Sequence, residues 1–208
     1  MENNIMLLCD IGHTSYHFFD GKNDYKKGVN TFIPEIIQEK VYYICVNVKI
    51  LKRLKKLKNW INIEPYIDKT QFYQTMGIDR IIASLSINNG VIIDAGSAIT
   101  VDIIKDNIFN GGFIYPGMIA MNKCFKSISS NLNYNFNFSI DLYNLPKNSQ
   151  NSISYGYLKG LYLEVISYNL PIILTGGDAL KFKTIFKNAT VDEMLIFKGM
   201  KILIETNK

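Results

Sequence analysis

The sequence predicts an α/β protein made of two similar halves. Three observations lead there. An apolar run that ends in an Asp-x-Gly tip and is followed by a second strand-like run occurs twice, with Asp10 and Asp94 standing 84 positions apart. A repeat of that kind marks a duplicated unit. Apolar β-formers and helical patterns also alternate through the first half in a β-β-α-β-α-β rhythm. Near the end of the chain, Ile172 to Leu174 forms a short apolar run that leads into Thr175-Gly176-Gly177-Asp178, a strand-to-helix turn. The two halves are expected to be residues 1–88 and 89–208.

In the first half, Met6 to Cys9 is apolar, Asp10-Ile11-Gly12-His13-Thr14 turns, and Tyr16 to Phe19 returns as the second strand of a hairpin. Lys22 to Lys27 reads as a polar turn region and Phe32 to Gln38 as a short helix. Val41 to Val46 reads as a buried parallel strand. The basic segment Lys49 to Lys58 has Ile50, Leu51, Leu54 and Leu57 at helical spacing, continued by Ile61, so its lysines form the solvated face of an amphipathic helix. Ile61 to Tyr66 reads as a further strand. Gly77-Ile78-Asp79-Arg80 then opens a helical pattern continued by Ile81, Ile82 and Leu85. An aspartate and an arginine at a helix start suit an anionic substrate: Arg80 would pair with a carboxylate, and Asp79 would take a proton from a hydroxyl. The same residues also suit a helix cap and a surface charge, and their spacing leaves both readings open.

In the second half, Val91 to Ile93 delivers Asp94, Gly96 lets the backbone turn beside Ser97, and Ala98 to Ile104 returns as a strand. Asn110-Gly111-Gly112 supplies turn residues, and Pro116-Gly117 precedes a helix over Met118 to Ser130. Asn131 to Ser139 reads as a mobile loop or an irregular strand. A helix through Tyr157, Leu161 and Val165 carries Gly156 and Gly160 on one face, a spacing that admits a close crossing against a ligand or a partner subunit. A last helix closes the chain between Asp192 and Thr206. Two facing Asp-x-Gly hairpins suit a nucleoside triphosphate. Their glycines let backbone N–H groups approach phosphate, and their carboxylates hold a metal directly or through water. Ordinary hairpins would carry the same turn residues.

Composition narrows the function classes. A length of 208 residues, 48% hydrophobic content and a mean hydropathy of +0.04 describe a globular protein. No apolar run approaches the ~20 residues of a membrane span, so no membrane partner is expected. The start, MENNIMLLCDIG, holds an acidic residue, too short an apolar run and no cleavage signal, so no signal peptide is expected. Cys9, Cys45 and Cys124 are odd in number and far apart; buried free thiols at the first two fit a reducing cytoplasm. His13 and His17 lie along a hairpin, where four residues span ~13 Å, too far to share one metal ion. Much of the net charge of +5 sits in the basic helix, unaccompanied by an aromatic or Gly-rich recognition motif, so no nucleic-acid partner is expected. A GxxxxGK[ST] loop is absent, which argues against a Walker-type kinase.

Taken together and in order, DIGHT, GIDR, DAGSAITVD, GGFIYPG and TGGD resemble the type III pantothenate kinases of the acetate and sugar kinase/Hsc70/actin superfamily, over nearly the whole chain. The resemblance implies two ribonuclease H-like, actin-like halves with the active site in the cleft between them. It implies ATP-dependent phosphorylation of pantothenate in coenzyme A biosynthesis. Asp10, Ile11, Gly12, His13 and Thr14 look like the first phosphate motif, Gly96 and Ser97 belong to the second, and Thr175, Gly176 and Gly177 to the adenosine motif. Tyr73, Gly77, Ile78, Asp79, Arg80 and Ser149 are the implied pantothenate contacts, with Asp79 the proton acceptor. Asp94 matches a carboxylate at a monovalent-cation site for K⁺ or NH₄⁺, and Asp10 would hold Mg²⁺ through water. The family also implies a homodimer. His13 stands where the family usually has asparagine, Ser97 and Ser149 stand where it has threonines, and the chain is shorter than most members. Two alternatives share the scaffold: a non-catalytic regulatory protein, and a kinase of another small hydroxy acid.

Overall fold

The computed structural model describes residues 6–207; the first five residues of the start read for a signal peptide, and Lys208, lie outside the described residues. The described strands form two five-stranded sheets. The first contains β1 (Leu7–Ile11), β2 (Ser15–Phe19), β3 (Asp24–Gly28), β4 (Val41–Cys45) and β5 (Trp60–Asn62), ordered β3-β2-β1-β4-β5. The second contains β6 (Gly90–Ala95), β7 (Ala98–Lys105), β8 (Ile108–Pro116), β9 (Ile172–Thr175) and β10 (Thr190–Val191), ordered β10-β9-β6-β7-β8. Read from its other edge, the second order repeats the first. In both sheets two antiparallel strands lead to a central strand, and two strands parallel to it lie beyond. β1 and β6 are the two centres, so the repeat in the sequence is a repeat of topology.

Alternation along β1 sorts the core of the first unit. Leu7, Cys9 and Ile11 are buried with Tyr16, Phe18, Tyr43, Leu54 and Trp60. Leu8, on the other face, is buried with Ile78 and Ile82 of α2 (Ile78–Ser84) and with Phe197, Met200 and Leu203 of α6 (Leu195–Thr206). In β6 the corresponding Val91, Ile93 and Ala95 are buried with Leu158, Leu161 and Val165 of α4 (Ser149–Ser167) and Phe182 of α5 (Ala179–Lys183). The remaining helices are α1 (Val48–Leu54) and α3 (Met118–Ile128).

Several sequence expectations need correction. Among the described residues the compact units are 6–86 together with 194–207, and 87–193. The last helix therefore belongs with the first sheet, because Phe197, Met200 and Leu203 complete the core around Leu8. The polar stretch after Phe19 is not all turn: β3 pairs with β2 as an exposed edge strand, pinned where Tyr25 stacks on Phe18 at 5.0 Å. The helix expected over Phe32 to Gln38 is a single 3-10 turn, Pro34–Ile36. The basic helix ends at Leu54, and the strand expected to reach Tyr66 stops at Asn62, where Glu64–Tyr66 turns as a 3-10 helix around Pro65. The β7–β8 turn lies at Asp106 and Asn107, both at positive φ, and Asn110 to Gly112 sit inside β8. Asn131 to Ser139 has no strand; Phe136 and Phe138 pack on the core of the second unit.

No described helix is long and apolar enough to cross a membrane. The three cysteines are free, with Cys9 and Cys45 buried and Cys124 exposed. Burial, with the Asp10 carboxylate nearby, pushes the Cys9 thiol well up, and burial lifts Cys45 to about 11. A thiol-specific reagent at about pH 8 should therefore titrate Cys124 alone in the native protein and all three cysteines in urea; rapid native labelling of Cys9 would contradict the packing around β1. Phe197→Ala is expected to cost about 3–5 kcal/mol in urea denaturation, and a cost near zero would detach α6 from the first unit.

Candidate active site

In the first unit the β1–β2 hairpin presents the DIGHT segment. Asp10 is the penultimate residue of β1, and it lies on the same face as Leu8, the face covered by α2 and α6. Gly12 N donates to Ser15 O at 3.0 Å and closes the tip, where His13 and Thr14 are exposed. His17 is the cross-strand neighbour of Asp10. Its Nε2 lies 2.8 Å from Asp24 Oδ2, and its ring meets Phe197 edge-on at 4.8 Å. The His17 hydrogen bond holds the Asp24 carboxyl below the usual carboxylate range. The two histidines thus sit in different surroundings, His13 at the exposed tip and His17 against Asp24 and Phe197.

The GIDR segment forms the start of α2. Gly77 precedes the helix, and Asp79 sits in its first turn with Oδ1 accepting from Arg80 N at 2.9 Å. Asp79 is half-buried. Arg80 is only 7% exposed, and its Nη1 donates to Tyr73 Oη at 2.5 Å with the guanidinium 5.8 Å from that ring's centre. Ser84 Oγ donates to Arg80 O at 2.8 Å, so both ends of Arg80 are fixed. Tyr73, named only through the family resemblance, is thereby placed against Arg80. Ile78 faces the core instead and is buried with Leu8.

In the second unit three segments converge on the β6–β7 hairpin. Asp94, penultimate in β6, lies beside Thr100 of β7 and Thr175 of β9. Gly96 N donates to Ala98 O at 3.0 Å to close the tip, and Ser97 is exposed. After β9 the chain turns at Gly176 with φ +85, and Asp178 N donates to Ala95 O at 2.9 Å. A Cβ on Gly176 would stand 2.2 Å from Asp94 Oδ1 and 2.7 Å from Ala95 O, so only glycine fits. Gly117, which precedes α3, is pressed as closely: its Cβ would stand 2.3 Å from Ser97 O. The Pro-Gly turn before α3 thus brings its backbone against the hairpin. Tyr157 Oη donates to Pro116 O at 2.5 Å and helps hold that turn, while burial raises its hydroxyl pKa. Ser149 begins α4 with its side chain exposed.

Among the described residues no group of three His, Cys, Asp or Glu side chains is gathered to hold a metal ion. Asp94 with its neighbours Thr100 and Thr175 instead offers carboxylate and hydroxyl oxygens, donors that suit a hard cation sharing its shell with phosphate and water. Sequence reading missed the buried Asp102 as a polar member of this face; its strand register with Ile92 was the available signal.

Two α/β units of one strand order, each carrying a carboxylate at the end of its central strand beside a tight hairpin, define an actin-like fold. A Sinorhizobium meliloti structure described as a candidate 2-dehydro-3-deoxygalactonokinase shares this fold, with a TM-score of 0.56 at 8% identity over 97% of this chain and 96% of that one. Residues 36–168 match the type III pantothenate kinase family. A type III pantothenate kinase of Sulfurimonas denitrificans is 56% identical over 96% of this chain and 98% of its own. A Campylobacter jejuni crystal structure, described as a candidate Baf family transcriptional activator, is 40% identical with a TM-score of 0.88, covering 97% of this chain and 98% of that one. The chain belongs to the type III pantothenate kinase family.

The glycine pair after β9 gives an internal control. Gly176→Ala is expected to lose about 1–3 kcal/mol of stability in chemical denaturation, through its clash with Asp94 and Ala95. Gly177, whose Cβ would meet nothing within 4 Å, should tolerate alanine to within about 0.5 kcal/mol. Equal costs at the two positions would contradict the packing of the turn.

Proposed function

We propose that this protein transfers the γ-phosphoryl group of ATP to the primary hydroxyl of pantothenate, giving 4'-phosphopantothenate in the first step of coenzyme A biosynthesis. The observation that carries the reading is the start of α2, a buried guanidinium held by Tyr73 next to a half-buried carboxylate. A rigid guanidinium recognises a carboxylate bidentately, and pantothenate has a carboxylate at one end and a primary hydroxyl at the other. Arg80 orients the substrate by that carboxylate, beside Tyr73 and Gly77. Asp79 accepts the hydroxyl proton as the oxygen attacks the γ-phosphorus in line; the new O–P bond forms as the bond to the β-phosphate oxygen breaks and ADP leaves.

The phosphates of ATP lie against the backbone of Asp10 to Thr14 and of Gly96 and Ser97, and Thr175 to Gly177 contact the adenosine. Asp10 would hold Mg²⁺ through water and Asp94 would hold K⁺ or NH₄⁺, ions that would supply charge neutralisation at the phosphates. The chemistry asks mainly for positioning, which the fixed ends of Arg80 provide. The buried free thiols suit a reducing cytoplasm. A homodimer is supported by α4, which leaves Gly156, Leu163 and Ile166 exposed.

The description of the Campylobacter jejuni relative favours a second reading, a regulator on the same scaffold. The retention of Asp10, Asp79 and Asp94 favours the kinase, since a regulator has no use for them. Incubation with ATP, Mg²⁺ and pantothenate, followed by mass spectrometry, should yield singly phosphorylated pantothenate. Asp79→Asn is expected to lower turnover about 10²-fold or more with an unchanged melting temperature; near-normal turnover would remove Asp79 from the role of base.

A further inference from the structure

The charge of this chain is concentrated in one place. The stretch from Glu35 to Lys58 holds seven basic and two acidic residues, which accounts for the whole net charge of +5 and leaves the rest of the sequence neutral. Most of the excess sits on α1 and the turn after it. Leu54 is buried with Tyr16, Tyr43 and Trp60, and Ile50, Leu51 and Leu57 pack on the same core. Helical spacing then sets Lys49, Lys52, Lys55 and Lys56 on the outer side, and all four are exposed, as is Lys58. Among the described residues none of these five lysines forms an ion pair.

Residues 33–39 lie against that segment. Arg53 Nε donates to Glu35 Oε1 at 2.7 Å, Trp60 Nε1 to Pro34 O at 3.3 Å, and Asn59 Nδ2 to Ile37 O at 2.8 Å. These bonds hold Ile33 and Ile36, 54% and 66% exposed, beside the basic helix. Val48, 65% exposed, opens α1 one turn before Lys52. Aliphatic side chains exposed singly are common on protein surfaces. Three of them in a cationic patch match a surface that is anionic outside and apolar beneath.

We propose that this patch binds the face of an anionic lipid bilayer, with the lysines at the phosphate headgroups and Ile33, Ile36 and Val48 entering the interface. The lysines supply the longer-range attraction and the aliphatic groups the short-range part. The expectation of no membrane partner came from the lack of a spanning run, and this contact is peripheral and uses no span. Nucleic acid is the other extended polyanion, but its strands are held by aromatic platforms that stack on bases, and the apolar groups here are aliphatic. The patch is also separate from the proposed chemistry. α1 covers the face of β1 that buries Leu7, Cys9 and Ile11, whereas Asp10 lies on the other face. The proposal therefore stands apart from the kinase reading.

Vesicle sedimentation with the full chain tests it. The wild type is expected to bind vesicles of mixed phosphatidylglycerol and phosphatidylcholine, and to leave vesicles of phosphatidylcholine alone unbound. Raising the salt from about 0.05 M to about 0.5 M should weaken binding about tenfold or more. Lys52→Glu, Lys55→Glu and Lys56→Glu together should weaken it about a hundredfold. Lys123→Glu, Lys126→Glu and Lys187→Glu together change the net charge equally, and should leave binding within about threefold of the wild type. Ile36→Ser, which alters no charge, should weaken binding about threefold or more. All of these positions are exposed, so the fold is kept. Equal losses from the two triple variants would mark a response to net charge alone and overturn the proposal. So would binding to phosphatidylcholine alone, failure to bind either vesicle, or wild-type binding by Ile36→Ser. Capture of a duplex oligonucleotide by protein that leaves the vesicles unbound would overturn it in favour of nucleic acid.

Discussion

A carboxylate placed one residue from the end of a buried central strand is the constraint around which both units are built. Side chains alternate along a strand, so residues that bury Leu7, Cys9 and Ile11 on one face of β1 must send Asp10 to the other. The same parity buries Val91, Ile93 and Ala95 and turns Asp94 the opposite way. A charged group in that position must lie where backbone donors, a cation or solvent can meet it, which is the end of the strand and the tip of a hairpin. Close packing around the second tip follows from this: Gly176 approaches the Asp94 carboxylate and Ala95 O, Gly117 approaches Gly96 O and Ser97 O, and neither has room for a Cβ.

The first unit meets the same constraint with other parts. Asp10 shares its face with Leu8, and the hydrophobic cover there comes from α2 and α6. Building the cover from α2 brings its amino-terminal turn, with Asp79 and Arg80, to the same side of the sheet as Asp10. Ile78 links the two functions: it is buried with Leu8 and precedes Asp79 directly. Stability of the core and position of the substrate segment therefore depend on the same helix.

What was legible in the sequence was periodic or repeated. Strand runs, the 84-residue repeat from Asp10 to Asp94, and the GIDR helix start all register as local pattern, and they carried the fold and the family. The placement of the last helix was not legible, because an amphipathic helix states that it has a buried face without stating which sheet covers it. The edge strand β3 was hidden for a related reason: all five residues are exposed, so no alternation marks it. Pairing of Tyr73 with Arg80 arises from a contact across the folded unit and leaves no trace in spacing.

The carboxylate hairpins at Asp10 and Asp94 are proposed to serve phosphoryl transfer to pantothenate, with a monovalent cation at Asp94. A coupled ATP-consumption assay with pantothenate, run in K⁺ and again in Na⁺, tests that most directly. Pantothenate-dependent turnover in K⁺ that falls away in Na⁺ is the result predicted. Folded protein that binds ATP and yet shows no pantothenate-dependent turnover in either salt would contradict the account and leave the chain a regulator built on a kinase scaffold.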